Sequence, residues 1–294
     1  MVGRLGGSEQ RGMTHTVRRG SGAPLGVPVY ALGTNPAERE RLRRQAEELR
    51  DHSAALLDQV GVEPGWNTID LGCGPRGIVD LLADRVGPEG RVTGLDYNPD
   101  SIALAREFVI ASGLTNVTLV VGDARHTGLP ASSFDLVHTR TLLINVPEPA
   151  EVVAEMTRLA RPGGWVAAME PDVVLSLCYP PHPAWDRLAE IFMQIQDAEG
   201  ADPHVGRRLP ALLQDAGLVD VGVEARADVY PVGHSRRTVR VDLMRSMRPK
   251  ILERGLATEQ ELDELDRAAR EHLDDPDTLV MPHLLVLAWG RKPG

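Results

Sequence analysis

A turn with three glycines follows a strongly apolar stretch near the start of the chain. Residues 68–71 have the pattern of a buried strand, and Gly72, Gly74 and Gly77 fall in the turn before the helix-like run 78–84. A strand, a glycine-rich turn and a helix form the first unit of nucleotide-binding α/β folds. Glycine is needed there because the backbone passes close to a ligand at dihedral angles that side chains disfavour. The pattern therefore predicts a site for a nucleotide-like cofactor.

Asp70 indicates which class of cofactor the turn would bind. It lies two residues before Gly72, at the expected tip of the strand. A dinucleotide places its pyrophosphate at the helix N-terminus, where N–H groups and the helix dipole favour an anion, and a carboxylate would repel that group. Asp70 suits a ligand with a cationic ammonium group and no phosphate, such as S-adenosylmethionine (SAM). The glycine spacing alone also fits a dinucleotide.

The next two predicted strands also end in acids. Asp96 ends the segment 91–96, where a carboxylate can accept hydrogen bonds from both ribose hydroxyls of SAM or of NAD. Asp123 ends the segment 116–123 and can accept from an adenine amine, while the Ala124 N–H donates to a ring nitrogen. Carboxyl ends of parallel strands meet at one edge of the sheet, which is where open α/β sheets bind ligands.

The motifs DLGCGPRG, VTGLD, VVGDA, FDLVHTR and RPGGWV occur in this order between residues 69 and 166. They resemble the class I SAM-dependent methyltransferases, in particular the branch that acts on small molecules such as quinones and natural products. The resemblance implies a Rossmann-like α/β fold with helices on both faces of a seven-stranded sheet, in strand order 3-2-1-4-5-7-6 with the last strand antiparallel. It covers roughly residues 30–170. One departure is Arg76, where many members have a glycine.

The resemblance also implies which residues hold SAM and its product S-adenosylhomocysteine. Some belong to the strand ends, and others to a segment before the first strand that folds over the cofactor in relatives. These expected cofactor residues are Tyr30, Gln45, Asp70, Gly72, Cys73, Gly74, Gly77, Asp96, Tyr97, Asp123, Ala124, Thr139 and Arg140.

Absent motifs favour a small organic acceptor. The segment 140–147 lacks the Asn/Asp-Pro-Pro-aromatic motif of nucleic-acid amino-methyltransferases, and neither Cys73 nor Cys178 follows a proline, as the nucleophile of cytosine methyltransferases does. The formal net charge of −10 also argues against nucleic acid. The acceptor atom (O, N or C) stays open. The expected catalytic residues are His138, Asp172 and His182, and the expected substrate-binding residues are Arg140, Asp172, Tyr179, Leu188, Phe192, Met244 and Met247.

The chain divides into three parts by pattern. Residues 1–28, rich in Gly, Arg and Ser, are expected to be a disordered tail, and residues 29–61 a helical cap. Residues 62–294 are expected to form the methyltransferase domain, with helical lid insertions at about 171–200 and 237–275. Alternatively, these helices serve a structural role or form a homodimer.

Two other functions fit parts of the pattern. Asp96 lies 19 residues after Gly77, near the ~20 expected in a nicotinamide-dependent oxidoreductase, although Asp70 and Asp123 oppose that function. A SAM-binding protein without transferase activity is the other alternative. Two cysteines fit a reducing cytoplasm, no apolar run reaches the ~20 residues of a membrane helix, and no histidine pair has a helical metal-binding spacing.

Overall fold

The computed structural model describes residues 36–294. Tyr30 and the predicted tail 1–28 lie outside the described residues. The predicted helical stretch from Pro36 to Val60 is divided into two helices at Leu49, whose φ of −96° and ψ of 6° interrupt the regular helical geometry. The helices of the described part are α1 Pro36–Glu48, α2 Arg50–Val60, α3 Val79–Val86, α4 Pro99–Ala111, α5 Pro149–Leu159, α6 Pro183–Ala198, α7 Val205–Asp215, α8 Val239–Glu253 and α9 Glu259–Leu273.

The strands of the described part form a seven-stranded sheet and a short two-stranded one. They are β1 Asn67–Leu71, β2 Arg91–Asp96, β3 Val117–Val121, β4 Phe134–Arg140, β5 Ala160–Asp172, β6 Leu177–Tyr179, β7 Val219–Arg226, β8 Leu279–Met281 and β9 Leu284–Arg291. The large sheet has the order β3-β2-β1-β4-β5-β9-β7. Strand β9 is antiparallel to β5 and β7, whereas the pairs among β1 to β5 are parallel. Because β6 and β8 belong to the small sheet, β7 and β9 are the sixth and seventh strands of the large one, and its order is 3-2-1-4-5-7-6. The predicted strand order, fold class and antiparallel last strand are therefore confirmed.

The last predicted strand, Leu279 to Trp289, is wrong in one respect. Residues 279–281 pair with β6 in the two-stranded sheet, and the strand of the large sheet begins only at Leu284. Pro282 separates the two segments, and proline has no N–H to donate to a strand ladder. The segment predicted as a strand from Val219 to Tyr230 likewise ends at Arg226.

Apolar side chains cover both faces of the large sheet. Helices α5 and α7 bury one face, with Met156 and Leu209 fully enclosed, and helices α2, α3 and α4 bury the other, with Leu56 and Leu82 fully enclosed. Helices α6, α8 and α9 pack on one another around a separate apolar core. These three helices come from the two segments in which insertions were predicted.

Candidate active site

A cavity lies at the carboxyl ends of β1, β2, β3 and β4. It contains about 1140 Å³ of empty space, part of it open to solvent, which is ample for a small ligand. Several of the predicted cofactor residues line it: Gly72, Gly74, Asp96, Tyr97, Asp123, Ala124 and Arg140. An alanine Cβ at Gly74 would meet nothing within 4 Å, so the backbone here leaves an open cradle.

Asp70 supports the glycine turn from beneath. Its carboxylate is 2% exposed, accepts a hydrogen bond from the Ile78 N–H at 3.0 Å, and lies 2.8 Å from His138 Nδ1. The Ile78 N–H precedes the first turn of α3, where backbone donors lack helical partners. A Cβ on Gly77 would lie 2.2 Å from Asp70 Oδ2, so only glycine allows this approach. The expectation that Asp70 contacts the cofactor directly is therefore corrected, because its carboxylate points into the protein.

Asp96 faces the cavity from the end of β2. Its Oδ2 accepts the Gly74 N–H and its Oδ1 accepts the Asn98 N–H, both at 2.8 Å. Burial raises the pKa of Asp96 above its usual 3.8 and outweighs these two hydrogen bonds. The carboxylate thus joins the glycine turn to the start of α4, and the ribose contact stays a prediction. Tyr97 beside it is 41% exposed along the cavity.

Asp123 has a partner that the sequence pattern did not reveal. Arg125 donates to both carboxylate oxygens, with Nε at 3.1 Å from Oδ1 and Nη2 at 2.8 Å from Oδ2. Burial tends to raise the pKa of Asp123, but the Arg125 hydrogen bonds outweigh it and hold the pKa below 3.8. An adenine amine would therefore share this carboxylate with Arg125. No periodicity or motif could have indicated this pairing, which depends on the conformation of the loop.

Three other predicted cofactor residues do not line the cavity. Cys73 is 2% exposed, and Thr139 is fully buried with its hydroxyl donating to the Leu71 carbonyl at 2.9 Å. Gly77 lies over Asp70.

Arg140 does reach the cavity edge, where it donates to Ser53 Oγ at 3.0 Å and to the Gly77 carbonyl at 3.2 Å. Burial lowers the pKa of Arg140 to about 10, and its hydrogen bonds join α2 to the glycine turn.

A second cavity of about 610 Å³ adjoins the first. Thr141 and Asn145 line both cavities. Gln45 Nε2 donates to Thr141 Oγ1 at 3.0 Å, so the predicted cofactor residue Gln45 lies at this junction, on the side of the second cavity. Thr141 has a φ of 50°, an unusual value for a residue other than glycine. Polar groups therefore surround the point where the two cavities meet.

Glu170 holds the loop between the two cavities in place. Its carboxyl group is fully buried at the end of β5 and accepts the N–H groups of Leu142 and Leu143 at 2.8 Å and of Ile144 at 3.2 Å. Burial raises the pKa of Glu170 to about 8 against these hydrogen bonds. Sequence reasoning missed this positioning residue, and its only signal was an acid within an otherwise apolar strand.

The second cavity has a cationic wall. Arg236 is 3% exposed and donates through Nη2 to His283 Nε2 at 2.8 Å, and Arg41 also lines the cavity. Burial lowers the pKa of His283 well below 6.5, and the neighbouring arginines add to this effect. His283 is therefore a neutral acceptor. Among residues 40–294, no Asp or Glu lines this cavity.

Comparison with known proteins agrees with this geometry. Residues 63–204 match a family model described as a methyltransferase domain. The glycine turn and strands β1 to β6 lie within this segment, and the remaining strands of the sheet follow it. This part of the chain is therefore similar in sequence to a methyltransferase domain, and the sheet has the Rossmann-like fold expected of class I methyltransferases.

Relatives of the domain include an uncharacterized 37.1 kDa protein in a transposon of Streptomyces fradiae. It is 30% identical over 209 residues, which is 65% of this chain and 56% of the relative. A demethylmenaquinone methyltransferase of Listeria monocytogenes is 38% identical over 109 residues, 37% of this chain and 46% of that protein. The chain thus spans about half the length of these curated relatives. The fold is also similar to that of a phosphoethanolamine N-methyltransferase of Haemonchus contortus in complex with S-adenosylhomocysteine, at 18% identity and a TM-score of 0.54, covering 83% of this chain and 53% of that one.

The methyltransferase domain does not bring the three expected catalytic residues to either cavity. His138 is fully buried beneath the glycine turn. Asp172 is fully buried and paired with both Nε and Nη2 of Arg207. His182 begins α6, accepts the Ala184 N–H at 3.2 Å, and stacks on His272 with the ring centroids 4.6 Å apart. These three predictions are corrected, because each side chain has a structural partner away from the cavities.

The predicted substrate residues separate into two groups. Phe192 lines the second cavity, and Arg140 lines the first. Tyr179 is 65% exposed on β6 and reaches neither cavity. The remaining predicted wall residues lie in the core between α6, α8 and α9: Leu188, Met244 and Met247. Their prediction as substrate contacts is corrected, since neighbouring helices already enclose them.

Two features are absent from the part of the chain that the structure describes. In residues 36–294, no three His, Cys, Asp or Glu side chains are grouped so that they could hold a metal ion. The same part of the chain contains no helix that is long and apolar enough to cross a bilayer.

Proposed function

We propose that the protein transfers the methyl group of SAM to an O, N or C atom of a small organic acceptor, leaving S-adenosylhomocysteine. The observation that carries this proposal is the pair of adjoining cavities that share Thr141 and Asn145. One cavity has the glycine turn and strand-end acids of a SAM site, and the other is a separate space for an acceptor. A methyl group would pass between them beside the shared loop.

The residues of the first cavity fit SAM better than a dinucleotide. Gly74 provides an open backbone cradle, and Asp96 presents a carboxylate to the same space. Arg140 is the cationic side chain among the described residues that line this cavity. It already donates to Ser53 and to the Gly77 carbonyl, so few of its N–H groups are free to bind a pyrophosphate. The antiparallel last strand also distinguishes this sheet from that of the oxidoreductase alternative.

SAM would supply an activated methyl group on a sulfonium ion, so the protein's task is orientation and the exclusion of water. Glu170 fixes the loop that contains Leu142 and Ile144 and thereby sets the distance between the cavities. Gln45 and Asn145 can orient an acceptor at the junction through their amides. No carboxylate base lines the second cavity among residues 40–294, and neutral His283 already accepts from Arg236. The site therefore suits an acceptor that loses its proton without a strong general base.

We further propose that the segments 171–200 and 237–275 act as a lid over the acceptor. Phe192 of α6 and Leu243 of α8 both line the second cavity, which supports this role. We also propose that the protein acts in natural-product metabolism and in the cytoplasm. The role in natural-product metabolism is supported by the relative named as a demethylmenaquinone methyltransferase. The cytoplasmic location is supported by the two unpaired cysteines.

The test uses the purified full chain with SAM and a panel of small acids, phenols, quinols and amines. Calorimetry is expected to show binding of SAM and S-adenosylhomocysteine, and mass spectrometry to show a methylated product together with S-adenosylhomocysteine. Binding of NAD(P) in preference to SAM would support the oxidoreductase instead. Tight SAM binding without turnover of any acceptor class would favour the non-catalytic alternative.

A further inference from the structure

A donor at the wall of the second cavity has no partner. Arg236 is 3% exposed, yet its Nε–H makes no hydrogen bond to any of residues 36–294. Leaving a buried donor unpaired destabilises the folded state, and more so when the group is charged. Arg236 also lines the second cavity, so its guanidinium is incompletely satisfied by the described residues at the edge of a ligand-sized space.

The charge of Arg236 is also only partly compensated. Its closest described carboxylate is that of Glu48, with Nη1 and Oε2 3.8 Å apart, which is too far for a hydrogen bond. Glu48 also accepts a hydrogen bond from the Ser235 hydroxyl. His283 is neutral, because burial and the neighbouring arginines lower its pKa. Arg41 adds a second positive charge to the lining, and Glu48 itself is not part of it.

The remainder of the cavity is largely apolar. Ile144, Val173, Phe192 and Leu243 face the same space as Arg236. A further cavity of about 670 Å³ shares Val173, Phe192, Leu243 and His283 with it, so an apolar ligand has room to extend past Phe192. The site thus combines a buried cationic side chain with an apolar patch, in a lining that also has polar side chains such as Gln45 and Gln196.

We propose that this cavity selects acceptors with an apolar body and an anionic oxygen, either a carboxylate or an ionised enol or phenol, which pairs with the Arg236 guanidinium. The inference rests on the proposed function, because it names the class of acceptor for that same site. This class of acceptor also agrees with the absence of Asp and Glu from the described lining of the cavity. An oxygen that is already ionised in solution needs no base from the protein. An arginine beside it stabilises the ionised form.

The experiment measures calorimetric affinity for paired probes in the presence of saturating S-adenosylhomocysteine. Benzoate is compared with benzamide, and ionised 2-hydroxy-1,4-naphthoquinone with its neutral methyl ether. A hydrogen bond to a charged group corresponds to a preference of about tenfold or more for the anion. The first pair reports on carboxylates and the second on enolates, so the two arms distinguish the sources of the anionic oxygen.

Substitutions of two adjacent arginines provide a matched comparison. Arg236→Gln is expected to abolish the preference for the anion, and Arg236→Lys to keep part of it through charge alone. Arg237→Gln removes the same charge from the next residue, but the Arg237 guanidinium donates to the backbone carbonyls of Tyr230, Leu273, Asp275 and Thr278 instead of lining the cavity. This control is expected to lower the melting temperature and to retain the preference.

Several results would overturn the inference. They are equal affinity of the wild type for both members of each pair, no binding of either anion to the S-adenosylhomocysteine complex, and an equal loss of preference in the Arg236 and Arg237 variants. A wild type that binds S-adenosylhomocysteine but shows no anion preference refutes only this inference. Failure to bind S-adenosylhomocysteine refutes the proposed function itself.

Discussion

Two carboxylates near the glycine turn have different roles. Asp70 is enclosed beneath the turn, with the Ile78 N–H and His138 as partners. Asp96 accepts the Gly74 N–H and lines the cavity, where its contact with the ribose hydroxyls is a prediction. The turn is therefore held between an inner and an outer acid, and Gly77 is needed where the backbone approaches the inner carboxylate.

Substitution of Asp96 tests the outer acid. Asp96→Ala removes the acceptor for Gly74 and the predicted acceptor for the ribose hydroxyls, and a hydrogen bond to a charged group is worth about 1.5–3 kcal/mol. We expect SAM affinity to fall by roughly one to two decades, measured by calorimetry. Asp96→Asn, which keeps one oxygen acceptor, should lose less. Unchanged affinity in both variants would contradict the assignment.

Two glycines of the turn allow a matched test of the inner acid. Gly74 and Gly77 both have a φ of +57°, but a Cβ would meet nothing within 4 Å at Gly74 and Asp70 Oδ2 at 2.2 Å at Gly77. The left-handed conformation alone costs about 1–2 kcal/mol per substituted residue, and crowding adds about 1–3 kcal/mol. Gly77→Ala should therefore lower the free energy of unfolding, measured by urea titration without ligand, more than Gly74→Ala does. Equal losses would show that the Asp70 contact is not tight.

At the level of secondary structure, the loop after β4 determines how the two cavities meet. Glu170, at the end of β5, accepts the backbone N–H groups of Leu142, Leu143 and Ile144, which begin the 3₁₀ turn Leu143–Asn145 or directly precede it. Asn145 Nδ2 adds a hydrogen bond to the Thr141 carbonyl at 2.8 Å. The position of the loop therefore depends on a buried acid on a neighbouring strand.

The pH dependence of stability tests the state of Glu170. Burial raises its pKa in the folded protein to about 8 from the ordinary 4.5. A raised pKa means that its contribution to stability is fully present below pH 4.5 and is lost as the pH rises through about 8. The wild type should lose stability across this range relative to Glu170→Gln, with a slope of at most about 1.4 kcal/mol per pH unit.

Urea titrations of both proteins at several pH values measure this difference, because every other titrating group is common to the two. Parallel curves would show instead that the three N–H donors keep the carboxylate ionised. Glu170→Gln should also reduce turnover more than SAM affinity, since the loop that it disturbs lies between the cavities.

For the whole molecule, the sequence predicted the sheet better than the second cavity. The first strands of the sheet end in short motifs whose residues are neighbours in the sequence. The order of these strands could therefore be predicted from residues such as Gly72, Asp96 and Asp123. The division at Leu49 and the separate strand β8 were missed because they depend on how α1 and β6 pack. Arg236 and His283 meet across 47 residues, and no local pattern indicates such a pair.

The helices of the proposed lid show the same limit. The apolar pattern of α6 correctly predicted a buried face, but it could not show what covers that face. Leu188 and Ile191 face α8 and α9, whereas Phe192 and Gln196 lie on the adjacent side and line the second cavity. Amphipathic spacing identifies which side chains leave water, and the partner is decided by tertiary packing.

A pair of lid substitutions separates substrate contact from structural packing. Phe192→Ala enlarges the acceptor cavity and should raise the acceptor KM or change acceptor choice, while SAM affinity stays nearly constant because Phe192 does not line the first cavity. Met247→Ala is the matched control, since Met247 is 1% exposed in the core of α6, α8 and α9. Deleting a buried Met side chain costs about 2–5 kcal/mol, so it should lower the melting temperature with little effect on KM at a temperature where the variant is folded. Calorimetry, acceptor kinetics and thermal melts on both variants measure these effects. If Phe192→Ala instead weakens SAM binding and lowers the melting temperature in parallel with KM, α6 holds the fold or a homodimer interface, and the acceptor binds elsewhere.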